Sequence, residues 1–456
     1  MKTTKIFIMV ALALMTAACN KVDIDLNQQP ANDEIIITAT IDANDGATTR
    51  ALSIDGSNIA STWEASDQFA ILFNDGSNDV KRVASVDKID GTTVTITFTI
   101  PSSLASNTPC QIVYPASAAN ATNTGADVAT ALATQDGTMG NCPEVRLGTA
   151  TIDKDNHNLT SVTKLAAQNT IFKFTVQDLS AADKTATKFK VSDGSGNVLA
   201  TVTPASATGT LYVALPEMAA GTYWFTATID DKAYVAKATT AAATTAGKYY
   251  QTTVKMATFG NVIGANGKFY VNAAAATSAS TTASAMITYV GDETAEASPY
   301  THGLALAMSD ANGGSNCAWT SPSSGSTVHT YTTTSSTFAS ESGLQYNATQ
   351  NTDTYPAFKY AIANNGTAAP IGCSAWFLAS GYQWDRMISA AGNFNALRDG
   401  FSGVGGTNMQ NVNYWSSTEE SGYYAWTYYF FSGSGGGKWV ICSKADGYYV
   451  RSVLAF

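Results

Sequence analysis

The residues best suited to recognise a ligand are concentrated between Trp415 and Arg451. This segment is dense in tyrosine and tryptophan, and serine and glycine fill the spaces between them. Tyr and Trp give a large contact area at a small loss of conformational entropy, and Ser and Gly give adaptable hydrogen bonding. Flat aromatic faces can also stack on sugar rings. The composition predicts a surface that binds a protein or a glycan through Tyr423, Tyr424, Tyr428, Ser432, Ser434, Trp439, Cys442, Tyr448 and Tyr449.

The sequence offers little that supports catalysis or metal binding. It contains no Gly-x-Ser-x-Gly nucleophile elbow. The three histidines, His157, His302 and His329, are far apart, which argues against a histidine-rich metal site. Residues 42–46 resemble the start of a calcium loop, but Ser53 stands where the bidentate Glu should be. We therefore expect a protein that is not an enzyme and that has no metal and no cofactor.

The first residues are typical of an export signal. Two lysines precede an apolar run, residues 6–15, that is too short to span a bilayer. Small residues follow this run and lead to Cys19, in a pattern that resembles a lipobox. In a lipobox the cysteine is first lipidated, and the signal peptide is then cleaved just before it. We expect residues 1–18 to be a signal peptide, Cys19 to carry the lipid, and residues 19–33 to be a polar, flexible tether.

Charge and cysteine content narrow the class of protein further. The net charge is −10, and only 13% of residues are charged, against about 25% in a typical globular protein. The acidic balance argues against binding to nucleic acid or to an anionic membrane surface. Besides Cys19 the sequence has five cysteines, an odd number that leaves the disulfide pairing open: Cys110, Cys142, Cys317, Cys373 and Cys442.

The sequence divides into three regions that differ in composition and in the pattern of apolar residues. Residues 34–160 and 161–258 alternate apolar and β-branched residues with polar ones, which predicts two β-sandwich domains of Greek-key type. Asp75-Gly76 and Asp90-Gly91 predict tight turns between strands. From residue 259 to 456 the strands are short, the loops are long, and helices are predicted over 357–364 and 382–391, as in an α+β domain.

The N-terminal regions resemble the fimbrillin family of Bacteroidetes, the lipoprotein pilins and related Mfa-like proteins. The motifs that carry this resemblance are Thr48-Thr49-Arg50-Ala51 and the run from Trp63 to Ile71. The resemblance implies that a protease cuts the precursor between Arg50 and Ala51. The cut would free a groove in the first β domain for strand exchange.

The C-terminal region resembles the C-type-lectin-like domain related to formylglycine-generating enzymes. Five segments carry this resemblance, in order: 302–307, 376–380, 414–419, 425–426 and 449–456. Among such domains it resembles the variable proteins of diversity-generating retroelements, which implies that the predicted binding residues occupy varied positions. It also implies that four residues form a buried framework: Trp415, Trp426, Phe430 and Val450. The related enzymes use a cysteine pair, for which Cys373 and Cys442 are the late candidates here.

The sequence thus favours a lipid-anchored protein of the outer membrane, exposed at the surface, that binds an extracellular protein or glycan. A pilus tip is one location for such an adhesin, with other pilus subunits as partners. The alternative is a structural pilus subunit that polymerises by strand exchange, and a formylglycine-type enzyme ranks third. A polymerising subunit needs a free C-terminal strand, whereas residues 450–456 have the pattern of a strand that closes the C-terminal domain.

Overall fold

A computed structural model describes residues 34–42, 53–55, 58–60, 63–91, 93–321, 328, 332, 334–335, 338–431 and 437–456. The predicted signal peptide, Cys19, the tether, Arg50, Ala51, Ser432 and Ser434 lie outside these described residues. The described part is mostly β and forms three units, each with its own core. Within it, no helix is both long enough and apolar enough to cross a membrane.

The first unit, here the barrel unit, is built from residues 34–167. Its elements are β1 (Glu34–Asp42), β2 (Ser53–Asp55), β3 (Asn58–Ala60), β4 (Gln68–Asn74), β5 (Asp79–Asp90), β6 (Thr93–Pro101), β7 (Thr108–Tyr114), α1 (Val128–Leu132), β8 (Thr134–Gln135), β9 (Arg146–Asp153), β10 (Asn158–Thr160) and β11 (Ala166–Ala167). The two predicted Asp-Gly turns are confirmed. They join β4 to β5 and β5 to β6, with φ of 98° at Gly76 and 63° at Gly91, values that glycine adopts without strain.

The barrel unit differs from the expected sandwich, because its main sheet closes on itself. The strand order is β10-β1-β6-β5-β4-β7-β9, and β9 pairs again with β10. β1 runs antiparallel to β6 over its whole length, from Glu34↔Pro101 to Asp42↔Thr93. Its other edge meets β10 at Thr38↔Asn158. Alternation along β1 turns Ile37 and Ile41 into the core, so β1 closes the barrel between β6 and β10.

The second unit, here the sandwich unit, is built from two sheets. Its strands are β12 (Asn169–Asp178), β13 (Lys188–Asp193), β14 (Val198–Val202), β15 (Thr210–Pro216), β16 (Gly221–Ile229), β17 (Lys232–Thr240) and β18 (Tyr249–Met256). One sheet has the order β15-β12-β18 and the other β17-β16-β13-β14-β8. Phe174 of the first sheet contacts Phe189 and Phe225 of the second, at centroid distances of 5.4 Å each. β8 precedes residue 160 in the chain but pairs with β14 at the edge of the second sheet. This strand therefore crosses the predicted boundary between residues 160 and 161.

The third unit, the C-terminal unit, covers residues 258–456 and mixes helices with short strands. Its elements are β19 (Val262–Gly264), β20 (Phe269–Tyr270), α2 (Ala273–Ser278), β21 (Ala283–Val290), β22 (Gly303–Ala307), α3 (Asn347–Gln350), α4 (Pro356–Ala363), β23 (Phe377–Leu378), α5 (Gly381–Ala390), α6 (Phe394–Gly403), β24 (Asn413–Glu419), β25 (Tyr424–Tyr429), β26 (Lys438–Ser443) and β27 (Ser452–Ala455).

The two helices predicted in this unit are confirmed as α4 and α5. A capping box starts α5, in which the Ser380 side chain accepts from the Gln383 amide and the Gln383 side chain accepts from the Ser380 amide. Trp384 and Met387, spaced to share one helical face, are fully buried. The side chains on this face anchor α5 against the sheets of the C-terminal unit.

The last strand, β27, lies inside the six-stranded sheet of the C-terminal unit. The order of that sheet is β20-β19-β21-β22-β27-β23. β27 pairs antiparallel with β22 on one side and with β23 on the other. Its neighbour Phe456 exchanges backbone hydrogen bonds with Gly303 and is 1% exposed. The prediction that the final residues form a closing strand is therefore confirmed.

Apolar clusters join the three units to one another. Leu72 and Val113 of the barrel unit pack with Ile171 and Ala214 of the sandwich unit. A second cluster joins the sandwich unit to the C-terminal unit. At that junction the His302 ring lies 4.2 Å from the Trp224 ring, centroid to centroid, and is 2% exposed. Within the described part of the chain, neither ring nitrogen of His302 has a hydrogen-bond partner.

This buried histidine makes the junction sensitive to acid. Burial lowers the pKa of His302 from 6.5 to about 4, while Asp292 opposes the shift and Lys190 and Lys237 add to it. The unfolded chain takes up the proton below pH 6.5 and the folded chain does not, so stability falls as the pH drops from 6.5 towards 4.

We predict that His302→Phe, which keeps the ring contact and removes the titration, loses less stability between pH 7 and pH 4 than the parent. The expected difference is up to about 3 kcal/mol. Urea unfolding of both proteins across this range measures it. If the free energy of unfolding depends on pH in the same way for both proteins, His302 does not contribute to the acid sensitivity.

Candidate ligand-binding site

The best-formed site among the predicted binding residues is built on the turn between β24 and β25. The amides of Glu420 and Ser421 both donate to the carbonyl of Tyr424, at 3.0 and 3.1 Å. The Ser421 hydroxyl accepts from the amides of Tyr423 and Tyr424, at 3.4 and 3.2 Å. The backbone of this turn is therefore fixed by its own hydrogen bonds, and its side chains are held on a rigid support.

A buried ion pair attaches the turn to the rest of the C-terminal unit. Lys444, 1% exposed, pairs with Glu419, which is fully buried at the end of β24. The Lys444 ammonium also donates to the Gly422 carbonyl at 3.1 Å, and its amide donates to the Tyr423 carbonyl at 3.0 Å. The Lys444 Nζ lies 4.6 Å from the centre of the Trp319 ring. Burial lowers the pKa of Lys444, and Glu419 opposes that shift.

A small pocket opens beside this turn. It has a volume of about 260 Å³ and is lined by Thr320, Gly422, Tyr423, Tyr424, Ser443, Lys444 and Ala445. Tyr423 is 64% exposed and Tyr424 is 46% exposed, so both rings are available to a ligand. The structure thus brings two of the nine predicted binding residues to one concave site. The composition of the segment identified these two tyrosines, whereas the other lining residues were missed.

The predicted binding roles of Tyr428 and Cys442 on an exposed surface are wrong, because both side chains are buried. Each is 7% exposed. Tyr428 packs between Phe430 and Trp439, at centroid distances of 4.9 and 5.2 Å. The Cys442 sulfur accepts from Asn413 Nδ2 at 3.2 Å. These two residues serve the packing of the three-stranded sheet of the C-terminal unit, which has the order β24-β25-β26.

Trp439 also packs inward rather than lining the pocket. Its ring is half-buried and contacts Phe338 at 4.6 Å, and its Nε1 donates to Asp385 Oδ1 of α5 at 2.9 Å. Burial of Asp385 raises the pKa of that carboxyl, and the hydrogen bond from Trp439 opposes the shift. Trp439 therefore ties β26 to α5.

Tyr448 and Tyr449 are half-buried and do not line the pocket. The Tyr448 ring contacts Trp415 at 5.1 Å, and a hydrogen bond with Cys442 together with burial raises the pKa of the Tyr448 phenol. Tyr449 contacts Tyr414 at 5.9 Å. The seven predicted binding residues that the structure describes thus do not form a single patch.

The four residues that the resemblance implies as a framework are buried. Trp415, Phe430 and Val450 are fully buried, and Trp426 is 5% exposed. No motif in the sequence indicated the buried network beside these residues, which centres on Arg451. This guanidinium donates to Asp310 Oδ1 at 2.9 Å and to the carbonyls of Ala307 and Thr407 at 2.8 Å.

The described cysteines are all free thiols, among them the two that a formylglycine-type site would need. Cys373 packs at the junction with the sandwich unit, and Cys442 packs beside Trp415 in a different cluster. Burial raises the pKa of Cys373 to about 12, which keeps it protonated. Among the described residues, no group of three or more His, Cys, Asp or Glu could hold a metal ion.

The chain is similar to several solved bacterial structures. A fimbrial protein from Bacteroides ovatus ATCC 8483 is 13% identical, with a TM-score of 0.35 over 93% of this chain and 99% of that chain. A fimbrial assembly protein from Parabacteroides distasonis ATCC 8503 is 13% identical, with a TM-score of 0.29 over 48% and 92%. The tip fimbrial protein Mfa3 from Porphyromonas gingivalis, with C-terminal truncation, is 12% identical, with a TM-score of 0.21 over 45% and 81%.

No family model and no curated protein matches the chain. The solved structures have TM-scores far below 0.5, so the fold and function of this chain rest on its own geometry.

We predict that Lys444→Met destabilises the C-terminal unit by about 3–5 kcal/mol, because it leaves the buried Glu419 carboxylate without the opposing ammonium. The control is Lys438→Met, which removes an exposed lysine from β26, the strand that ends just before Lys444, and should change stability by less than about 0.5 kcal/mol. Urea unfolding followed by tryptophan fluorescence compares the two. Equal stability of the two variants would mean that the ion pair does not hold the turn.

Proposed function

We propose that this protein is a cell-surface adhesin that binds an extracellular protein or glycan through the Tyr423–Tyr424 pocket. The observation that carries the proposal is the exposure of two adjacent tyrosine rings on a turn fixed by its own hydrogen bonds and by the Lys444–Glu419 pair. Because the support is already ordered, little conformational entropy is lost when a ligand binds.

The C-terminal unit is the ligand-binding domain in this proposal, with a C-type-lectin-like fold. The five segments that suggested this fold fall on or beside β22, β23, β24, β25 and β27, and the framework aromatics among them are buried. Variation by a retroelement would then act on exposed positions such as Tyr423 and Tyr424, where a change of side chain leaves the core intact.

Attachment at a pilus tip is favoured over a polymerising stalk subunit. A stalk subunit that donates its final strand needs that strand free, whereas Ser452–Ala455 pair on both sides within this chain's own sheet. The barrel unit, in contrast, is suited to accept a strand. Arg50 follows β1 in the sequence, so a cut between Arg50 and Ala51 would separate β1 from the rest of the barrel.

We predict that the double variant Tyr423→Ala/Tyr424→Ala lowers adhesion by about tenfold or more, because central aromatic anchors contribute roughly 2 kcal/mol each. Beads coated with the full chain are tested on mucin, which presents glycans, and on fibronectin, an extracellular protein. Ile371→Ala is the control, since Ile371 is 71% exposed and does not line the pocket. Adhesion that survives the double variant unchanged would refute the assignment of the site.

We predict that an arginine-specific protease cuts after Arg50 and that Arg50→Lys prevents this cut. Loss of β1 removes Ile37 and Ile41 from the core, at a cost of about 1.5–3 kcal/mol each, so the cut protein should melt at a lower temperature. Adding a peptide of residues 34–42 should restore the melting temperature. The same peptide with Ile37 and Ile41 replaced by Asp should not. N-terminal sequencing that finds no cut at Arg50 would contradict the processing role.

Lipidation at Cys19 completes the proposal, by anchoring the protein in the outer membrane with its units exposed at the surface. Cys19→Ala should release the protein from the membrane fraction or leave it unprocessed. A variant that is still lipid-labelled and membrane-bound would exclude Cys19 as the anchor.

A further inference from the structure

The pocket beside Tyr423 and Tyr424 has the size of a site for one ring of a ligand. Its volume of about 260 Å³ lies below the roughly 300–1,000 Å³ of pockets that enclose a drug-sized molecule. A single six-membered ring fits this space better than an extended peptide does. The rest of a larger ligand would project from the pocket into solvent.

The exposed rings favour a ligand with a face of C–H groups. An aromatic ring carries partial negative charge on its faces and partial positive charge at its edge. The C–H bonds on one face of a pyranose carry partial positive charge, so this face packs well on tyrosine. Tyr423 and Tyr424 both offer such a face, and the hydrogen bonds of the turn hold their backbone in place.

The polar groups of the pocket complement a sugar hydroxyl. The Thr320 hydroxyl donates to the Thr354 carbonyl at 2.9 Å, which leaves its oxygen to accept. The Ser443 hydroxyl accepts from the Ala445 amide at 3.3 Å, which leaves its proton to be donated. Thr320 is 2% exposed and Ser443 is half-buried, so Ser443 is the more accessible of the two. Together they offer one acceptor and one donor, and a sugar hydroxyl is both a donor and an acceptor.

The charges at the pocket favour a neutral ligand over an acidic one. Lys444 is the one charged residue among the seven that line it. Its ammonium is buried against Glu419 and the Gly422 carbonyl. The positive charge is thus compensated within the protein. The chain as a whole carries a net charge of −10, which repels an anionic sugar at long range.

We infer that this pocket binds one uncharged pyranose ring of a glycan, stacked on Tyr423 or Tyr424, with a ring hydroxyl between Thr320 and Ser443. The inference rests on the proposed adhesin function and narrows its ligand from a protein or glycan to a neutral glycan. It also makes Thr320 and Ser443 determinants of which sugar hydroxyl is accepted.

The test is saturation-transfer NMR with the full chain and individual sugars at millimolar concentration. The neutral set is glucose, galactose, mannose, fucose and the two common N-acetylhexosamines, and the anionic set is N-acetylneuraminic acid and glucuronic acid. At least one neutral sugar should bind, and each anionic sugar should bind more weakly than that neutral sugar. Binding of an anionic sugar alone, or of none of the sugars, overturns the inference.

Variants separate stacking from hydrogen bonding. Tyr423→Ala/Tyr424→Ala should weaken sugar binding at least tenfold, whereas Tyr423→Phe/Tyr424→Phe keeps the rings and should stay within threefold of the parent. Ser443→Ala should change the order of preference among the neutral sugars. Loss of binding in the Phe variant overturns the stacking geometry, and Ile371→Ala serves as the control for unspecific loss.

The result for sugars is distinguishable from the result for adhesion. If the Ala double variant loses adhesion to fibronectin while the parent binds no sugar, the ligand is a protein and the inference falls although the adhesin function stands. If the parent binds a neutral sugar through these tyrosines but the beads do not adhere to mucin or fibronectin, the sugar site stands and the adhesin function falls.

Discussion

The pairing of β27 between β22 and β23 is the contact on which the C-terminal unit depends. Residues 452–455 are all buried, and Arg451 just before them reaches across the core to Asp310. Tyr414 of β24 donates to the other oxygen of the same carboxylate at 2.9 Å. The end of the chain thus connects the six-stranded sheet to the three-stranded sheet that carries the pocket. Withdrawing this strand would remove apolar burial and a satisfied guanidinium at the same time.

The pocket depends on a second constraint, the buried charge of Lys444. An isolated ammonium in this position would be costly, and Glu419 together with the Gly422 carbonyl offsets that cost. The same contacts fix the turn that presents Tyr423 and Tyr424. The apolar framework beneath the turn is buried, whereas the two tyrosine rings are exposed. In the function that we propose, the support and the contact surface are therefore separate, as a preorganised binding site requires.

The sequence predicts best those strands and helices in which apolar residues recur at a regular strand or helix spacing. The apolar alternation that predicts β domains is regular in β1 and β6, and Trp384 and Met387 stand at helical spacing in the predicted helix that became α5. β5, from Asp79 to Asp90, carries little of this pattern, because most of its residues are polar and only Ala84 is buried. The closure of the barrel was missed for another reason. It depends on the approach of Thr38 to Asn158, which lie far apart in the sequence, and a period of two does not specify it.

The sequence predicted part of the site, and the prediction that Tyr428 is exposed was an avoidable error. Tyr424, Trp426 and Tyr428 alternate along β25, so they point to the same face. A buried Trp426 therefore implied a buried Tyr428, whereas Tyr424 escapes burial because it lies at the strand end. No local signal could have identified Lys444. The segment Ser443-Lys444-Ala445-Asp446-Gly447 has the composition of an exposed turn, and its lysine is buried only because the fold brings Glu419 against it.

Residues 452–456 belong to this chain's own sheet, and in the function that we propose the C-terminal unit therefore presents a pocket rather than donating a strand. Native-state hydrogen exchange of the full chain, read by mass spectrometry, tests whether these residues stay paired. The amides of Val453 to Phe456 should exchange only through opening of the whole C-terminal unit, as slowly as those of β22. Exchange of these amides within seconds, while β22 stays protected, would show that the strand detaches and is free to pair with another subunit.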